Sequence, residues 1–219
     1  MTGTKMRFML GGALIAMLGA CGNVDSEEGS IPGLLAEAAR QSVAQRGRAE
    51  AEVVAKADPG QMAATALRVN KGPLIMVGLE RAGTTQVLAM TGENGGQRTY
   101  MTENEQALIL RDGMLAGTRG LGHDLSVAEM AQSSALIRSG RSGQANRTMR
   151  YWTGDGLERP LKLECSIGPG PKPGVMIEDC KNGPLEIQNS YISQGGRVTV
   201  SRQWIGPDLG YATIQELRP

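Results

Sequence analysis

ALILRDGMLAGT, residues 107–118, consists of two apolar runs on either side of Asp112-Gly113. Asp-Gly is favoured in the two-residue turns of β-hairpins, because both central residues of such turns adopt positive φ. The stretch therefore predicts two antiparallel strands, at residues 107–111 and 114–118. It is the clearest hairpin signal in the chain.

The same alternation of short strands and turns extends on both sides of this hairpin. Before it, strands are predicted at 74–77, 85–90 and 98–101, separated by Arg81-Ala82-Gly83 and by Glu93-Asn94-Gly95-Gly96. After it, a short helix is predicted at 127–138, followed by strands near 146–153, 158–166, 174–178, 185–192, 197–205 and 210–217. Many short strands joined in series indicate a mainly β fold, with one antiparallel sheet folded into a barrel or a sandwich. The chain lacks the βαβ alternation of a doubly wound fold.

A helical segment is predicted ahead of this β domain. Residues 33–57 are rich in Ala, Glu, Arg and Gln, which are strong helix formers. Asp58-Pro59-Gly60 is predicted to end the helix. The sequence leaves open whether the helix packs on the β domain, residues 72–219, or acts as a spacer.

The amino terminus has the pattern of a bacterial lipoprotein signal peptide. Two basic residues precede an apolar stretch at residues 8–17, which is about half the length needed to span a bilayer. Leu18-Gly19-Ala20-Cys21 then forms a lipobox. We therefore expect removal of residues 1–20, a diacylglycerol on the thiol of Cys21 and an acyl chain on its new amino group.

A doubly acylated cysteine would hold the mature chain at a membrane surface. Gly22 follows Cys21, at the position where an aspartate signals inner-membrane retention in enteric-type bacteria. We therefore expect an anchor in the outer membrane, facing the periplasm, with the outer leaflet as an alternative. Residues 21–30 are polar and acidic and are predicted to be a flexible tether. Residues 31–219 are expected to form a single domain.

The charge of the chain limits its possible partners, and its cysteine content predicts a disulfide. The chain has 23 basic and 22 acidic residues without a basic block, which argues against nucleic acid as a partner. Of its three cysteines, Cys165 and Cys180 remain as an even pair in an exported protein once Cys21 is acylated. The pair predicts a disulfide across residues 166–174, which are dominated by turn formers. A redox or metal pair is the alternative, but the spacing matches neither.

The loop at residues 117–124 is the one local cluster that could host a reaction. It holds the sole histidine, His123, beside Asp124. A catalytic triad would need His123 to reach a serine such as Ser126 while a carboxylate orients the ring, and adjacent loop residues rarely achieve this. We predict no catalytic residue, and we take the loop as a structural or contact element. Its members are Arg119, Gly120, Gly122, His123 and Asp124.

Metal, cofactor and glycosidase sites find little support in the sequence. With one histidine and two paired cysteines, only oxygen ligands remain, and the calcium-loop pattern does not occur. The chain also lacks a phosphate-loop or dinucleotide pattern, so neither a metal nor a cofactor is expected. Carboxylate pairs for glycoside hydrolysis could be drawn from acidic residues that are more typical of turns and strand edges. These are Glu103, Glu105, Asp155 and Glu158.

Glycan contact would require aromatic side chains, which are scarce in this chain. Sugar sites usually stack pyranose faces on aromatic rings. We identify Trp152 and Trp204, with Arg202, as candidates for contact with a glycan or a partner. Each lies on a predicted strand, where one side faces the core, and large aromatics are often core anchors.

Two stretches carry a family resemblance. LRDGMLAGTRGLGHDL at residues 110–125 and SRQWIGPDLGY at residues 201–211 resemble the YjbF/GfcB family of lipoproteins. That family is linked to exopolysaccharide and capsule production in Gram-negative bacteria. The resemblance implies a mainly β lipoprotein without an established catalytic activity, and it provides no catalytic residue to transfer.

Three hypotheses about function follow. The first is a non-enzymatic lipoprotein that assists polysaccharide export or assembly, through protein partners or through the glycan. The second is a periplasmic polysaccharide-modifying enzyme that uses Arg119, His123 and Asp124. The third is a lipid or lipoprotein carrier, because a curved sheet can enclose an apolar ligand. The first is the prediction that we retain.

Overall fold

The computed structural model describes residues 58–152 and 157–219. The predicted signal peptide at 1–20, the acylated Cys21, the tether and the helix at 33–57 all lie outside the described residues. Within the described part, no helix is long and apolar enough to cross a membrane.

Twelve strands and two helices make up the described residues. The helices are α1, Pro59–Val69, and α2, Ala131–Ser139. The strands are β1 Leu74–Leu79, β2 Thr84–Asn94, β3 Gln97–Met101, β4 Ala107–Arg111, β5 Met114–Arg119, β6 Leu125–Glu129, β7 Gly143–Trp152, β8 Glu158–Pro169, β9 Val175–Asn182, β10 Leu185–Gln194, β11 Arg197–Gly206 and β12 Gly210–Arg218. Every strand predicted from the sequence overlaps one of these.

The strands form one antiparallel sheet that curls into a nearly closed barrel. Each strand pairs with its neighbours in sequence, except that β5 and β6 are the two edges. The last strand returns to the first, because β12 pairs with β1 from Leu74↔Arg218 to Leu79↔Ala212. The mainly β, antiparallel, barrel-like fold predicted from the sequence is confirmed.

The Asp112-Gly113 turn joins β4 and β5 as predicted. Asp112 has φ 53° and Gly113 has φ 81°, the positive values that the two-residue turn requires. The turn also packs across the barrel, where Val198 N donates to Asp112 O at 3.2 Å. A Cβ on Gly113 would lie 1.9 Å from the carbonyl oxygen of Val198. Glycine is therefore required here both by the backbone angle and by the contact.

The structure corrects the bounds of one predicted helix and adds a second helix that was not predicted. The helix predicted at 127–138 was wrong in its first turn, because residues 125–129 pair with β7 as a strand, and α2 begins only after Met130. Asp58-Pro59-Gly60 begins α1, a helix that the sequence analysis did not predict, while the segment that these residues were expected to end lies outside the described residues. The Asp58 side chain accepts from Gly60 N, and a proline in the first turn loses no hydrogen bond.

The barrel interior is filled by side chains from alternate strand positions. Cys165 and Cys180 lie directly opposite each other on β8 and β9 and form the predicted disulfide. One end of the barrel is covered by α2, whose Ile137 is fully buried. Arg138 of this helix donates to Gly196 O and pairs with Asp112, which ties the helix to two turns at that end.

Candidate functional site

The gap between β5 and β6 is bridged by side chains. Arg119 donates from Nη1 to Leu125 O and from Nη2 to Ser126 O, each at 3.2 Å. Thr118 Oγ1 accepts from Leu125 N at 2.9 Å and donates to Asp124 Oδ1 at 2.8 Å. Two edge strands without a mutual backbone ladder are thus joined by a few polar contacts.

Asp124 organises the loop that connects β5 and β6. Besides Thr118, its carboxylate accepts from Gly120 N at 2.9 Å and from Leu121 N at 3.1 Å. Gly120 and Gly122 have φ 76° and 91°, which L side chains rarely adopt. The carboxylate that the sequence places beside His123 therefore holds the loop backbone.

The carboxylate paired with His123 is that of Asp208. The Nδ1 atom of His123 lies 3.3 Å from Oδ2 of Asp208, in the turn between β11 and β12. The two side chains are 70% and 58% exposed, respectively. The stretches that carry the family resemblance, residues 110–125 and 201–211, therefore meet at this end of the barrel.

A cavity of about 480 Å³ opens beside this pair. We call it the Trp152 pocket, and its lining includes His123, Asp124, Tyr151, Trp152, Arg159, Pro160, Leu161, Gly206, Pro207 and Asp208. Trp152 is 66% exposed. Behind it, Tyr151 OH donates to Ile205 O at 2.6 Å. Burial raises the pKa of the Tyr151 phenol, so the group remains a donor.

Not all predicted contact residues reach this pocket. Trp204 is only 6% exposed, and its backbone N donates to Asn189 Oδ1 at 2.8 Å, so it belongs to the core. Arg202 binds the Glu80 carboxylate at 2.6 and 2.8 Å and stacks 3.5 Å from the Tyr211 ring centroid. The structure thus brings His123, Asp124 and Trp152 together and leaves Arg202 and Trp204 elsewhere.

Sequence reasoning missed a charged cluster inside the barrel. Arg147 Nη1 donates to Glu178 Oε2 at 3.0 Å and to Tyr191 OH at 3.2 Å, and both charged side chains are fully buried. Burial alone would raise the pKa of Glu178, but Arg147 and the neighbouring hydrogen bonds outweigh it and lower the pKa. The available signal was strand alternation, since Arg147 shares its face with the buried Ala145 and Met149.

This cluster does not have the chemistry of a metal site. Ligand atoms of Glu178, Cys165 and Cys180 lie within 4.8 Å of one another. The two sulfurs are bonded to each other, however, and the carboxylate is already bound by Arg147. The same residues that could gather around a cation are therefore engaged in holding β7, β8 and β9 together.

Comparison with known proteins gives a family and a fold. The family described as "Group 4 capsule polysaccharide lipoprotein gfcB, YjbF" matches residues 47–217. No curated protein matches the chain. The crystal structure of the hypothetical lipoprotein YmcC from Escherichia coli (K12) is similar, with a TM-score of 0.58 and 16% identity over 77% of this chain and 92% of that chain. At this identity the similarity shows the fold.

Proposed function

Because this chain belongs to the YjbF family of group 4 capsule polysaccharide lipoproteins, we propose that it assists the production or export of a surface polysaccharide without catalysing a reaction. Its partners would be polysaccharide export or assembly proteins, or the polysaccharide itself. Family membership is the observation that carries the polysaccharide role.

The proposal includes a lipid anchor on Cys21. The lipobox at residues 18–21 supports acylation, and Gly22 supports the outer membrane, with the protein on the periplasmic side. Residues 21–30 would then act as the tether between the lipid and the barrel. The protein would work within a thin layer next to the bilayer.

The contacts of the loop support a non-enzymatic role. Asp124 is occupied by three hydrogen bonds within the loop, and Arg119 is occupied by backbone carbonyls. His123 and Asp208 are both more than half exposed. Catalytic groups usually lie in desolvated surroundings, whereas this pair is exposed to solvent.

The interior of the barrel counts against the carrier hypothesis. The cavity lined by Ile75, Tyr100, Leu110 and Ile214 measures about 150 Å³. Sites for small molecules typically measure about 300–1,000 Å³. Elsewhere in the interior, the buried Arg147 and Glu178 are charged side chains, which do not suit an apolar ligand.

A complementation experiment tests the proposal. A strain that lacks the gene receives wild type, His123→Ala or Cys21→Ser at matched protein level, and surface polysaccharide is measured. We expect deletion to abolish the polymer, and wild type and His123→Ala to restore it. Cys21→Ser should leave the membrane fraction and restore little.

Two outcomes would contradict the proposal. If deletion leaves the polymer unchanged, the polysaccharide role is wrong. If purified wild type modifies or cleaves the polymer and His123→Ala at full abundance does not, the non-enzymatic role is wrong. Val69→Ala, at an exposed position on α1, serves as the matched control for expression.

A further inference from the structure

We propose that the Trp152 pocket binds one sugar residue of the polysaccharide, with the indole of Trp152 as the stacking platform. This inference rests on the proposed function, because it names the ligand chemistry of the site. Three observations support it: the exposure of Trp152, the polar groups that face the same cavity, and the hydrogen bonds that hold two walls of the pocket in place.

The exposure of Trp152 sets it apart from the other large rings that the structure describes. Tyr100, Tyr191 and Trp204 are 2%, 1% and 6% exposed, whereas Trp152 is 66% exposed at the end of β7. An indole left in water contributes little to the core, and tryptophan is enriched at interfaces and aromatic side chains commonly line ligand sites. The apolar C–H face of a pyranose is complementary to such a ring.

The polar groups of the pocket suit the hydroxyls of a sugar. His123 and Asp208 face the cavity from two turns, and more than half of each side chain is exposed. A carboxylate accepts from hydroxyl groups, and an imidazole can donate or accept. Ligand sites commonly combine an apolar wall with a few convergent polar groups, in cavities of about 300–1,000 Å³. The Trp152 pocket, at about 480 Å³, fits this description.

Two walls of the pocket, the β11–β12 turn and the Tyr151 ring, are held by hydrogen bonds within the protein. Arg81 Nη1 donates to Pro207 O at 2.8 Å and to Asp208 O at 3.1 Å, which fixes the β11–β12 turn. Tyr151 is fixed by its bond to Ile205 O, and its ring lies so close to Gly206 that a Cβ there would be 3.1 Å from Tyr151 Cε1. A preorganised site loses less entropy on binding.

A second groove offers a contrast within the described residues. It measures about 790 Å³ beside α2, and its lining includes Arg111, Glu129 and Arg138. No aromatic side chain is among the described residues that line it. A sugar would therefore find polar contacts there but no ring to stack on, and the Trp152 pocket is the better match.

The test uses full-length protein purified in detergent from its own membranes. The probes are oligosaccharides made by partial acid hydrolysis of the cell's own surface polysaccharide, and affinity is measured by calorimetric titration. We expect wild type to bind, Trp152→Ala to bind at least about tenfold more weakly, and Trp152→Phe to stay within about threefold, since truncating an aromatic anchor removes most of its contact. Val69→Ala should match wild type.

The controls separate loss of binding from loss of fold. Trp152→Ala leaves the buried Trp204 as the remaining tryptophan, so native emission from Trp204 reports an intact core. Equal affinities for wild type and Trp152→Ala, or no binding by wild type, would overturn the inference. If deletion still abolishes the polymer in that case, the proposed function stands and only the pocket assignment fails.

A protein partner at the same surface is the competing outcome. A photoreactive benzoylphenylalanine at position 152 can be activated in living cells that make the polymer. Adducts that migrate as heterogeneous polymer and are lost in a strain unable to make polysaccharide would support the inference. A discrete protein adduct that persists in that strain would overturn it.

Discussion

The barrel has two junctions that close it, and they are built from different parts of the chain. β1 and β12 are joined by a backbone ladder, whereas β5 and β6 are joined by the side chains of Thr118, Arg119 and Asp124. A backbone ladder accepts many side chains, but a side-chain junction requires particular residue types at fixed positions. Part of the stretch at 110–125 is thus dictated by the need to close the barrel.

The largest loss of stability is expected from the buried ion pair inside the barrel, which connects β7 and β9. Glu178→Ala leaves the fully buried Arg147 without its counter-charge. We expect the free energy of unfolding to fall by about 3–5 kcal/mol, measured by urea denaturation. Glu186→Ala, which removes an exposed partner of Lys181, should match wild type. If Glu178→Ala lowers the free energy of unfolding by less than about 1 kcal/mol, the buried pair does not stabilise this part of the barrel.

The next largest loss of stability is expected at the β5–β6 junction itself. Asp124→Ala removes three hydrogen bonds to a carboxylate, and we expect a loss of about 2–4 kcal/mol with faster hydrogen exchange at Gly120, Leu121 and Leu125. Asp58→Ala removes one hydrogen bond at an exposed helix cap and should lose about 1 kcal/mol. Equal losses in the two variants would contradict the importance of the side-chain junction.

A pair of arginine-to-lysine changes, with a smaller expected loss of stability, compares the β5–β6 junction directly with the β1–β12 junction. Lysine cannot present the planar fork of arginine, so Arg119→Lys should lose one carbonyl contact and about 1–2 kcal/mol. Hydrogen exchange should rise in residues 125–129. Arg218→Lys is the matched change at the other junction, where Arg218 donates to Leu67 O and Asn70 O. Its effect should be confined to α1, and faster exchange in the β1–β12 ladder would refute the comparison.

The smallest loss of stability is expected from the Glu80–Arg202 ion pair near the β1–β12 junction, and it should depend on pH. The hydrogen bond from Arg202 lowers the pKa of Glu80 from its usual 4.5. The pair therefore stabilises the fold above the pKa of the unfolded chain, and this stabilisation is lost as the pH falls through the lower, folded pKa. Because both side chains are 41% exposed, Glu80→Gln should lose less than about 1 kcal/mol at pH 7.

The measurement for Glu80 is the difference in unfolding free energy between wild type and Glu80→Gln. We expect the difference to shrink as the pH is lowered from about 7 to about 3, below the usual carboxylate range. A difference that stays constant over this range would mean that the ionised pair is not its source.

Local chemistry explains which parts of the fold the sequence could predict. The hairpin at 107–118 was predictable because its turn type is set locally by Asp112 and Gly113. The break between β5 and β6 was not, because the sequence pattern at 127–138 favoured a helix where β6 in fact lies. Asp58-Pro59-Gly60 was ambiguous, since proline and a small polar residue occur both after helices and in their first turns.

The candidate site shows the same limit. His123 and Asp124 are adjacent in sequence, yet His123 faces Asp208, from a distant turn. Trp152 was visible in the sequence as a candidate contact residue on a predicted strand, and it is exposed at the end of β7. Which polar groups would meet Trp152 depended on how the barrel closes, which no local pattern encodes.

Because β12 pairs with β1 as neighbours in the sheet, the two strands could be joined by a turn and the chain opened at another turn. The order of the paired strands would stay the same. Leu74 and Arg218 are register partners, and a short linker could connect these positions. New termini could then open at Gly183, a turn at the opposite end of the barrel from Leu74. Such a circular permutant would keep every strand pair while its first and last residues lay at the other rim, which makes the position of the termini a property that can be varied independently of the fold.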